Sequence, residues 1–326
     1  MASDAMDQTA SPAAGASISV AFIGVGEAGQ TFARGLHEEG VRDIRLYDIL
    51  FDAPHSSLRA TASAIAKELD GVRLCASHVE AVRGASLVFL AVTAASSLDA
   101  ARACLPGLGA DALLLDINSV SPQRKRETAA LLDAGGGGAR YVDVAVMAAV
   151  ARPRHKVPLL IGGPGGEAFA ALLPRLGMQG EFFSAEVGEA SAVKMCRSIM
   201  IKGIEALTVE CMLTATQFGV QQRVLASLAE TFPSLDWPHI SGYMIERVVS
   251  HGRRRAEEMR EVAETVRGTG LAPLMASATA ERQAWMADLG AKEAVRAANG
   301  GKSSEDRELL VRVIRDRMAQ SAATGK

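Results

Sequence analysis

The sequence predicts an α/β fold in two parts: an N-terminal doubly wound parallel sheet, followed by an all-α C-terminal domain that is linked to it by a long helix. Two observations lead to this prediction. Over residues 18–184, short apolar runs of strand length alternate with helical patterns, as in a parallel sheet with helices on both faces. From residue 185 onward no strand pattern occurs, and apolar residues recur at helical spacing. A chain of 326 residues has room for two such domains.

The first element is an apolar, β-branched run at residues 18–23, which is typical of a strand buried on both faces. It leads into GVGEAG at residues 24–29, a G-x-G-x-x-G, and a helical pattern follows at residues 31–39. This order indicates a Rossmann-type dinucleotide site, because Gly24 permits a tight turn and Gly26 lets the backbone approach a pyrophosphate. The alternative is a glycine turn that binds nothing. The residues assigned here to cofactor binding are Gly24, Val25, Gly26, Glu27, Ala28 and Gly29.

The second strand, residues 44–48, ends in the acid Asp48, about twenty residues beyond the glycines. A carboxylate at this position can accept hydrogen bonds from both hydroxyls of an adenosine ribose and repels a 2′-phosphate. We therefore expect NAD to be preferred over NADP.

The remaining elements of the first domain continue the alternation. Strands are predicted over residues 72–75, 87–92, 112–117, 141–146, 158–163 and 181–184, and helices over residues 54–69, 96–104, 122–132 and 166–176. Ser121 and Pro122 suit the N-cap and the first position of the third of these helices. A flexible break is expected at residues 135–138. Ligands bind beyond the carboxyl ends of parallel strands, which adds Val92, Thr93 and Asn118 to the expected cofactor site.

The helical domain is predicted to begin with a long helix that continues to about residue 218. Its apolar positions indicate a helix buried between two domains or two subunits: Val193, Cys196, Met200, Ile204, Leu207 and Cys211. Further helices are predicted over residues 221–231, 240–251, 253–267, 272–289 and 304–318, with His251 and Gly252 interrupting the pattern between the second and third. The predicted limits are 1–17 for a disordered tail, 18–184 for the cofactor domain, 185–320 for the helical domain and 321–326 for a second tail.

Composition excludes several classes of partner. The formal net charge of −2 argues against nucleic acid or an anionic membrane surface. The sequence contains no run of 18 apolar residues, so no membrane span is predicted. The first 17 residues carry acids and lack the apolar core of a secretory signal. Four cysteines stand singly among apolar neighbours, which predicts buried free thiols, no metal site and a cytoplasmic protein.

Lys194 is the residue most suited to proton transfer. It shares a helix face with Ser198 and Lys202, four and eight residues further on. An ammonium on an otherwise apolar helix is partly desolvated, which lowers its pKa toward neutrality. From these residues alone, an exposed or snorkelling lysine is an equally good interpretation.

Four motifs resemble those of the β-hydroxyacid dehydrogenase family, which includes 3-hydroxyisobutyrate and 6-phosphogluconate dehydrogenases. They are GVGEAGQTFARGL at residues 24–36, DINSVSP at 116–122, YVDVAVMAAV at 141–150 and VGEASAVKMCRS at 187–198. In order, they are similar to the family's cofactor motif, its D-x-S-T-x-x-P loop, its substrate loop D-x-P-V-S-G-G and its G-x-G-x-x-x-K-x-x-x-N helix. The resemblance implies that Lys194 is the catalytic acid/base, with Ser198 at the position of the family's asparagine.

The substrate loop departs from the family pattern. Residues 145–149 read AVMAA where the family has P-V-S-G-G, and Asn118 and Ser119 stand where it has serine and threonine. Either the site is more apolar and accepts a bulkier substrate, or arginines elsewhere hold the anionic end, at residues 152–156 or 251–255. The second run is the better candidate. The residues assigned to substrate binding are Ser119, Val146, Met147, Ala148 and Arg254.

Together these observations predict an NAD(P)-dependent oxidoreductase that oxidises the alcohol of an anionic hydroxy acid, with NAD preferred and Lys194 exchanging the hydroxyl proton. One alternative is an imine or keto reductase with a more apolar substrate. Another is a cofactor-binding regulator without turnover. A homodimer formed through the helical domain is expected, because the family commonly dimerises in this way and the long helix is apolar.

Overall fold

The computed structural model describes residues 18–54, 56–135 and 140–323. The predicted N-terminal tail and most of the predicted break at 135–138 lie outside these ranges. The chain divides into two compact units. The first contains the described residues up to Ile117 together with Thr128–Ala185, and the second contains Asn118–Glu127 and the described residues from Glu186 onward.

The first unit contains an eight-stranded sheet. In sequence order the strands are β1 (Ser19–Ile23), β2 (Asp43–Tyr47), β3 (Val72–Leu74), β4 (Leu87–Leu90), β5 (Leu113–Asp116), β6 (Arg140–Val146), β7 (Leu159–Gly162) and β8 (Gly180–Ser184). Their spatial order is β3-β2-β1-β4-β5-β6-β7-β8. All neighbours are parallel except β6 and β7, which pair antiparallel. The predicted doubly wound, Rossmann-type sheet is confirmed.

Helices connect these strands. They are α1 (Glu27–Glu38), α2 (Leu58–Glu68), α3 (His78–Val82), α4 (Ser97–Cys104), α5 (Pro122–Ala134) and α6 (Gly166–Ala170). Three points of the prediction need correction. The helix expected from residue 54 starts at Leu58, and α3 was not predicted. The helix expected over 166–176 ends early and is followed by a separate 3-10 turn, because Pro174 has no N–H with which to continue it.

The core of the first unit lies on β1 and β4 at the centre of the sheet. Phe22 and Phe89 occupy paired positions on these strands and stack with ring centroids 4.9 Å apart. Phe169 of α6 meets Phe89 edge-on at 6.3 Å. All three side chains are fully buried, so they hold the strand ends that carry the glycine turn.

In its described residues the second unit consists of helices joined by loops and contains no strand. Its helices are α7 (Glu189–Gln217), α8 (Gln221–Thr231), α9 (Trp237–Arg267), α10 (Leu274–Asp288), α11 (Ala291–Ala298) and α12 (Arg307–Ala323). The predicted all-α region and its long first helix are therefore confirmed. α12 continues past residue 318, where the last helix was expected to end, and α11 was not predicted as a separate helix. Within the described part of the chain, no helix is both long enough and apolar enough to cross a bilayer.

The prediction that Gly252 interrupts a helix is wrong. Residues 237–267 form the single helix α9, and Gly252 lies inside it. A Cβ at this position would lie 2.6 Å from the carbonyl oxygen of Gln283 in α10. The glycine therefore lets two helix backbones approach closely. From the sequence alone, a glycine within a helical pattern indicates a helix break.

The cysteines only partly match the prediction. All four are free. Cys75 and Cys104 are buried, as expected, but Cys196 and Cys211 on α7 are exposed. They share a helix face with the exposed apolar residues Val193, Met200 and Leu207.

Candidate active site

The glycine turn of the first unit has the geometry that a dinucleotide requires. Gly24 adopts a φ of +97°, and a Cβ there would lie 2.3 Å from the carbonyl oxygen of Ala91. Around Gly26 a Cβ would meet no atom within 4 Å, so space lies open above the turn. Gly26 also caps α1 without a side-chain hydrogen bond, which leaves the first-turn N–H groups of the helix for an anion. These residues fit the pyrophosphate of NAD(P).

Asp48 anchors the glycine turn. Its Oδ2 accepts a hydrogen bond from the N–H of Val25 at 2.8 Å, and its Oδ1 accepts one from the N–H of Leu50 at 2.9 Å. The carboxylate still has lone pairs that could accept ribose hydroxyls, since each oxygen carries two. Asp48 thus joins the end of β2 to the turn after β1.

The other predicted residues of the first unit follow the carboxyl ends of parallel strands at the same edge of the sheet. Val92 and Thr93 come after β4, and the Thr93 hydroxyl lies 3.0 Å from that of Ser96. Val146 ends β6, and the N–H of Met147 donates to the carbonyl of Pro158 at 3.0 Å. Ala148 is exposed.

In the second unit, Lys194 and Ser119 meet directly. The Lys194 Nζ donates to the Ser119 Oγ at 2.7 Å, although 75 residues separate them in the sequence. Lys194 lies in the second turn of α7, and Ser119 lies in the loop before α5. Asn118, next to Ser119, is buried.

The loop that carries Ser119 is held at its far end by two hydrogen bonds. The Ser121 hydroxyl accepts from the N–H of Arg124 at 3.3 Å, which confirms the predicted N-cap of α5. The N–H of Ser121 donates to Oε2 of Glu261 on α9 at 2.8 Å. Glu261 was not identified from the sequence, because it lies 140 residues further on and no local pattern connects it to this loop.

Ser198 and Lys202 extend the polar face of α7. The Lys202 Nζ donates to the Ser198 Oγ at 3.1 Å and forms an ion pair with Oε2 of Glu258 at 2.9 Å. Arg254, one turn earlier on α9, contacts the other carboxylate oxygen of Glu258 at 2.7 Å. The structure therefore brings the predicted residues Lys194, Ser198 and Arg254 into one charged cluster around Glu258, which sequence reasoning missed.

Burial shapes the protonation of this cluster. It lowers the pKa of Lys194 to about 8; the carboxylate of Glu258 opposes the change, and neighbouring cations reinforce it. Burial alone would raise the pKa of Glu258, but the charges of Lys202, Arg254 and Lys194 outweigh it and hold this pKa at about 2. Lys194 can therefore exchange a proton near neutral pH, while Glu258 stays ionised.

Comparisons with known proteins find matches to both parts of the chain. The family described as NAD binding domain of 6-phosphogluconate dehydrogenase matches residues 19–188, and a domain of unknown function (DUF1932) matches residues 215–286. An uncharacterized 28.5 kDa protein in the 7S RNA 5′ region of Methanothermus fervidus is 30% identical over 219 residues, which cover 66% of this chain and 81% of that protein.

Two solved structures extend the likeness over most of the chain. A conserved hypothetical protein from Sinorhizobium meliloti has a TM-score of 0.71 at 36% identity, over 93% of this chain and 97% of that one. A 3-hydroxyisobutyrate dehydrogenase from Mycobacterium tuberculosis has a TM-score of 0.63 at 20% identity, over 91% of this chain and 99% of that one. At 20% identity the second likeness shows the fold alone.

These findings define an NAD(P)-binding fold of the 3-hydroxyacid dehydrogenase type. The chain belongs to the β-hydroxyacid dehydrogenase family, and the resemblance predicted from its four motifs is confirmed. Its C-terminal helices carry a second family match of unknown function.

Proposed function

We propose that this protein is a dehydrogenase that oxidises the alcohol of a hydroxy acid, with NAD as the preferred cofactor and Lys194 as the general acid/base. The observation that carries the proposal is the contact between Lys194 and Ser119 together with the lowered pKa of this lysine. A half-buried amine with a pKa of about 8 is suited to take a proton from a hydroxyl group and to return it.

The hydrogen-bonding capacity of the cluster supports an oxygen as the group bound there. An ammonium has only donors, so the Ser119 hydroxyl accepts from Lys194 and keeps its own hydrogen for another partner. The Ser198 hydroxyl likewise accepts from Lys202 and keeps its own hydrogen for another partner. Two hydroxyl hydrogens and the amine can thus surround the reacting oxygen of an alcohol or a carbonyl.

When bound, the nicotinamide ring would exchange the hydride with the substrate carbon. The chain's own residues would handle the proton: the neutral amine of Lys194 removes it from the alcohol, while Ser119 and Ser198 donate to the oxygen as negative charge develops. In the reverse direction the ammonium of Lys194 supplies the proton. Asn118 completes the group of polar side chains next to Ser119.

Arg254 is proposed to bind the anionic end of the substrate. One of its nitrogens already contacts Glu258, but half of the side chain is exposed, so the remaining donors of the guanidinium are accessible. Arg154, in the other basic run, instead forms a two-point ion pair with Glu38. This favours Arg254 over Arg154 for the role.

The proposed cofactor contacts are the first-turn N–H groups of α1 for the pyrophosphate and Asp48 for the adenosine ribose. Thr93, Val92 and Val146, with Met147 and Ala148, lie on the same sheet edge and are proposed to line the nicotinamide and substrate side. The preference for NAD is supported by the negative charge of Asp48, which would repel a 2′-phosphate.

We also propose that the protein is a homodimer formed through its helical domain. The support is the exposed face of α7, where Met200 is 62% and Leu207 is 56% exposed. Apolar surface of this kind, continuous along a helix, favours association with a second copy. The four free thiols suit a reducing cytoplasm.

The experiment that tests the activity is a panel of hydroxy acids with NAD or NADP, followed by the absorbance of the reduced cofactor. We expect turnover of at least one acid by the wild-type protein and a loss of about 10²–10⁴-fold in Lys194→Ala. Equal binding of NAD by both proteins, without turnover of any acid by either, would instead favour a cofactor-binding regulator.

A further inference from the structure

A buried charged pair lies beside the proposed acid/base. Lys202 is 7% exposed, and it pairs with Glu258, which Arg254 also contacts. Relative to well-packed apolar residues, a buried ion pair of this kind adds little to stability. Its location next to Ser198 and Lys194 therefore suggests a role in the site rather than in folding.

The Lys202 ammonium determines which way the Ser198 hydroxyl can act. A serine inside a helix ordinarily turns its hydrogen toward the carbonyl four residues earlier. Among the described residues, the one hydrogen-bond partner of Ser198 is Lys202, which can only donate. Ser198, itself 6% exposed, therefore accepts from Lys202, and its own hydrogen is left for a ligand.

Glu258 and Lys202 also act on Lys194 with opposite signs. The charged groups that face Lys194 are Glu258 and Arg254 on α9, Lys202 on α7 and Lys125 on α5. The carboxylate raises the pKa of Lys194, and each of the three cations lowers it.

We propose that Lys202 and Glu258 are positioning residues of this site. Glu258 holds the Lys202 ammonium, and Lys202 in turn holds the Ser198 hydroxyl as a donor toward the reacting oxygen. The charges of Lys202 and Glu258 also balance one another next to Lys194. The proposal rests on the proposed acid/base role of Lys194. It explains how a serine, shorter than the asparagine it replaces, can be held in one orientation by a neighbour on its own helix.

The test measures the pKa of Lys194 without substrate or cofactor. The full-length protein is labelled competitively with acetic anhydride over a range of pH, and the acetylated Lys194 peptide is quantified by mass spectrometry. We expect the pKa of Lys194 to rise in Lys202→Met, which removes a cation, and to fall in Glu258→Gln, which removes the carboxylate. From a starting pKa of about 8, a rise of one unit lowers the reactive fraction at pH 7 about ninefold, and a fall of one unit raises it about fivefold.

Two variants serve as matched controls. Glu205→Gln removes a buried carboxylate from the same helix pair, where Glu205 bonds Arg255, and should leave the pKa of Lys194 close to its wild-type value. Lys202→Arg keeps the cation and should restore most of the wild-type behaviour. Variants that lose the wild-type helical spectrum are replaced by Lys202→Gln and Glu258→Ala, which remove the same charges.

Shifts of the same sign in Lys202→Met and Glu258→Gln, or shifts no larger than that of Glu205→Gln, would overturn the proposal. A purely structural pair would give one of those results, since loss of either partner would loosen the same contact.

The link through Ser198 has its own measurement. With a hydroxy acid that the wild-type protein oxidises, Ser198→Ala, Lys202→Met and the double variant form a cycle. If Lys202 acts through Ser198, Lys202→Met lowers kcat severalfold in the wild-type background but changes kcat little when Ser198 is already alanine. Losses of kcat that are fully additive in the double variant would refute this link. If no hydroxy acid is oxidised, the proposed function fails, while the labelling result still decides whether the pair acts on Lys194.

Discussion

At the scale of single residues, the contact between Lys194 and Ser119 is the centre of the candidate site. The glycines were predicted from a local pattern of strand, turn and helix. Lys194 and Ser198 were predicted from their shared helix face together with the resemblance to the family, since the residues alone fit a snorkelling lysine equally well. Glu258 and Glu261 were not predicted, because both lie on α9 and contact residues that are distant in the sequence. Only the packing of α9 against α7 brings such side chains to the site.

The pKa of Lys194 predicts how the activity depends on pH. In the proposed mechanism oxidation needs the neutral amine of Lys194, so kcat/KM for the alcohol should rise with pH and level off above about 8. Reduction of the corresponding carbonyl needs the ammonium and should decline over the same interval. Initial rates in both directions between pH 6 and 10 check this prediction. A profile for oxidation that is flat across this range would contradict it.

The proposed role of Asp48 in the choice of cofactor gives a second prediction. Asp48→Ser removes the charge that repels a 2′-phosphate, so the ratio of NADP to NAD affinity should increase about tenfold or more, in keeping with 1–3 kcal/mol for one charged contact. Both affinities should also fall in absolute terms, because the carboxylate holds the N–H groups of Val25 and Leu50. Titrations of both cofactors measure the ratio. Asp48→Asn, which keeps an acceptor oxygen, is the control.

At the scale of elements, the strands and the first helix were predictable because apolar runs and glycine turns are local signals. The boundaries of the helices were less predictable. Gly252 suggests a break in sequence, yet α9 continues through it because α10 packs against its backbone. The segment 118–127 looks like part of the sheet domain from its position in the chain, but its contacts group it with the helices.

Two glycines inside helices provide a prediction about packing. Gly252→Ala places a Cβ 2.6 Å from a backbone oxygen of α10 and should destabilise the protein by about 1–3 kcal/mol. Gly203→Ala in α7 has no atom closer than 4.0 Å and should stabilise it by roughly 0.5–1 kcal/mol, through helix propensity. Urea unfolding of the two variants measures the difference. Equal effects would show that α9 and α10 are not closely packed.

At the scale of the whole molecule, the long helix α7 presents two different faces. Lys194, Ser198 and Lys202 lie on the polar one, and Val193, Met200 and Leu207 lie on the exposed apolar one. The periodicity of the sequence predicted a long apolar helix buried between two domains or two subunits, and its contact with a second subunit stays a prediction. The sequence also predicted that Lys194, Ser198 and Lys202 share a face, but it could not show that Glu258 of α9 packs against that face.

The dimer proposal predicts an effect on assembly. Leu207→Glu places a charge in the middle of the apolar face of α7 and should convert a dimer to a monomer at micromolar concentration. Sedimentation velocity measures the change. Phe183→Glu, at an exposed position of β8 in the first unit, should leave the dimer intact. A wild-type protein that is monomeric under these conditions would refute the proposed assembly.

The two exposed thiols would report on the proposed dimer in the wild-type protein. Cys196 and Cys211 stand along the apolar face of α7, whereas Cys75 and Cys104 are shielded inside the first unit. Alkylation of the first pair should slow as the protein is concentrated, while the second pair stays unreactive throughout. Oxidants would then react with Cys196 and Cys211 only in dilute or dissociated protein.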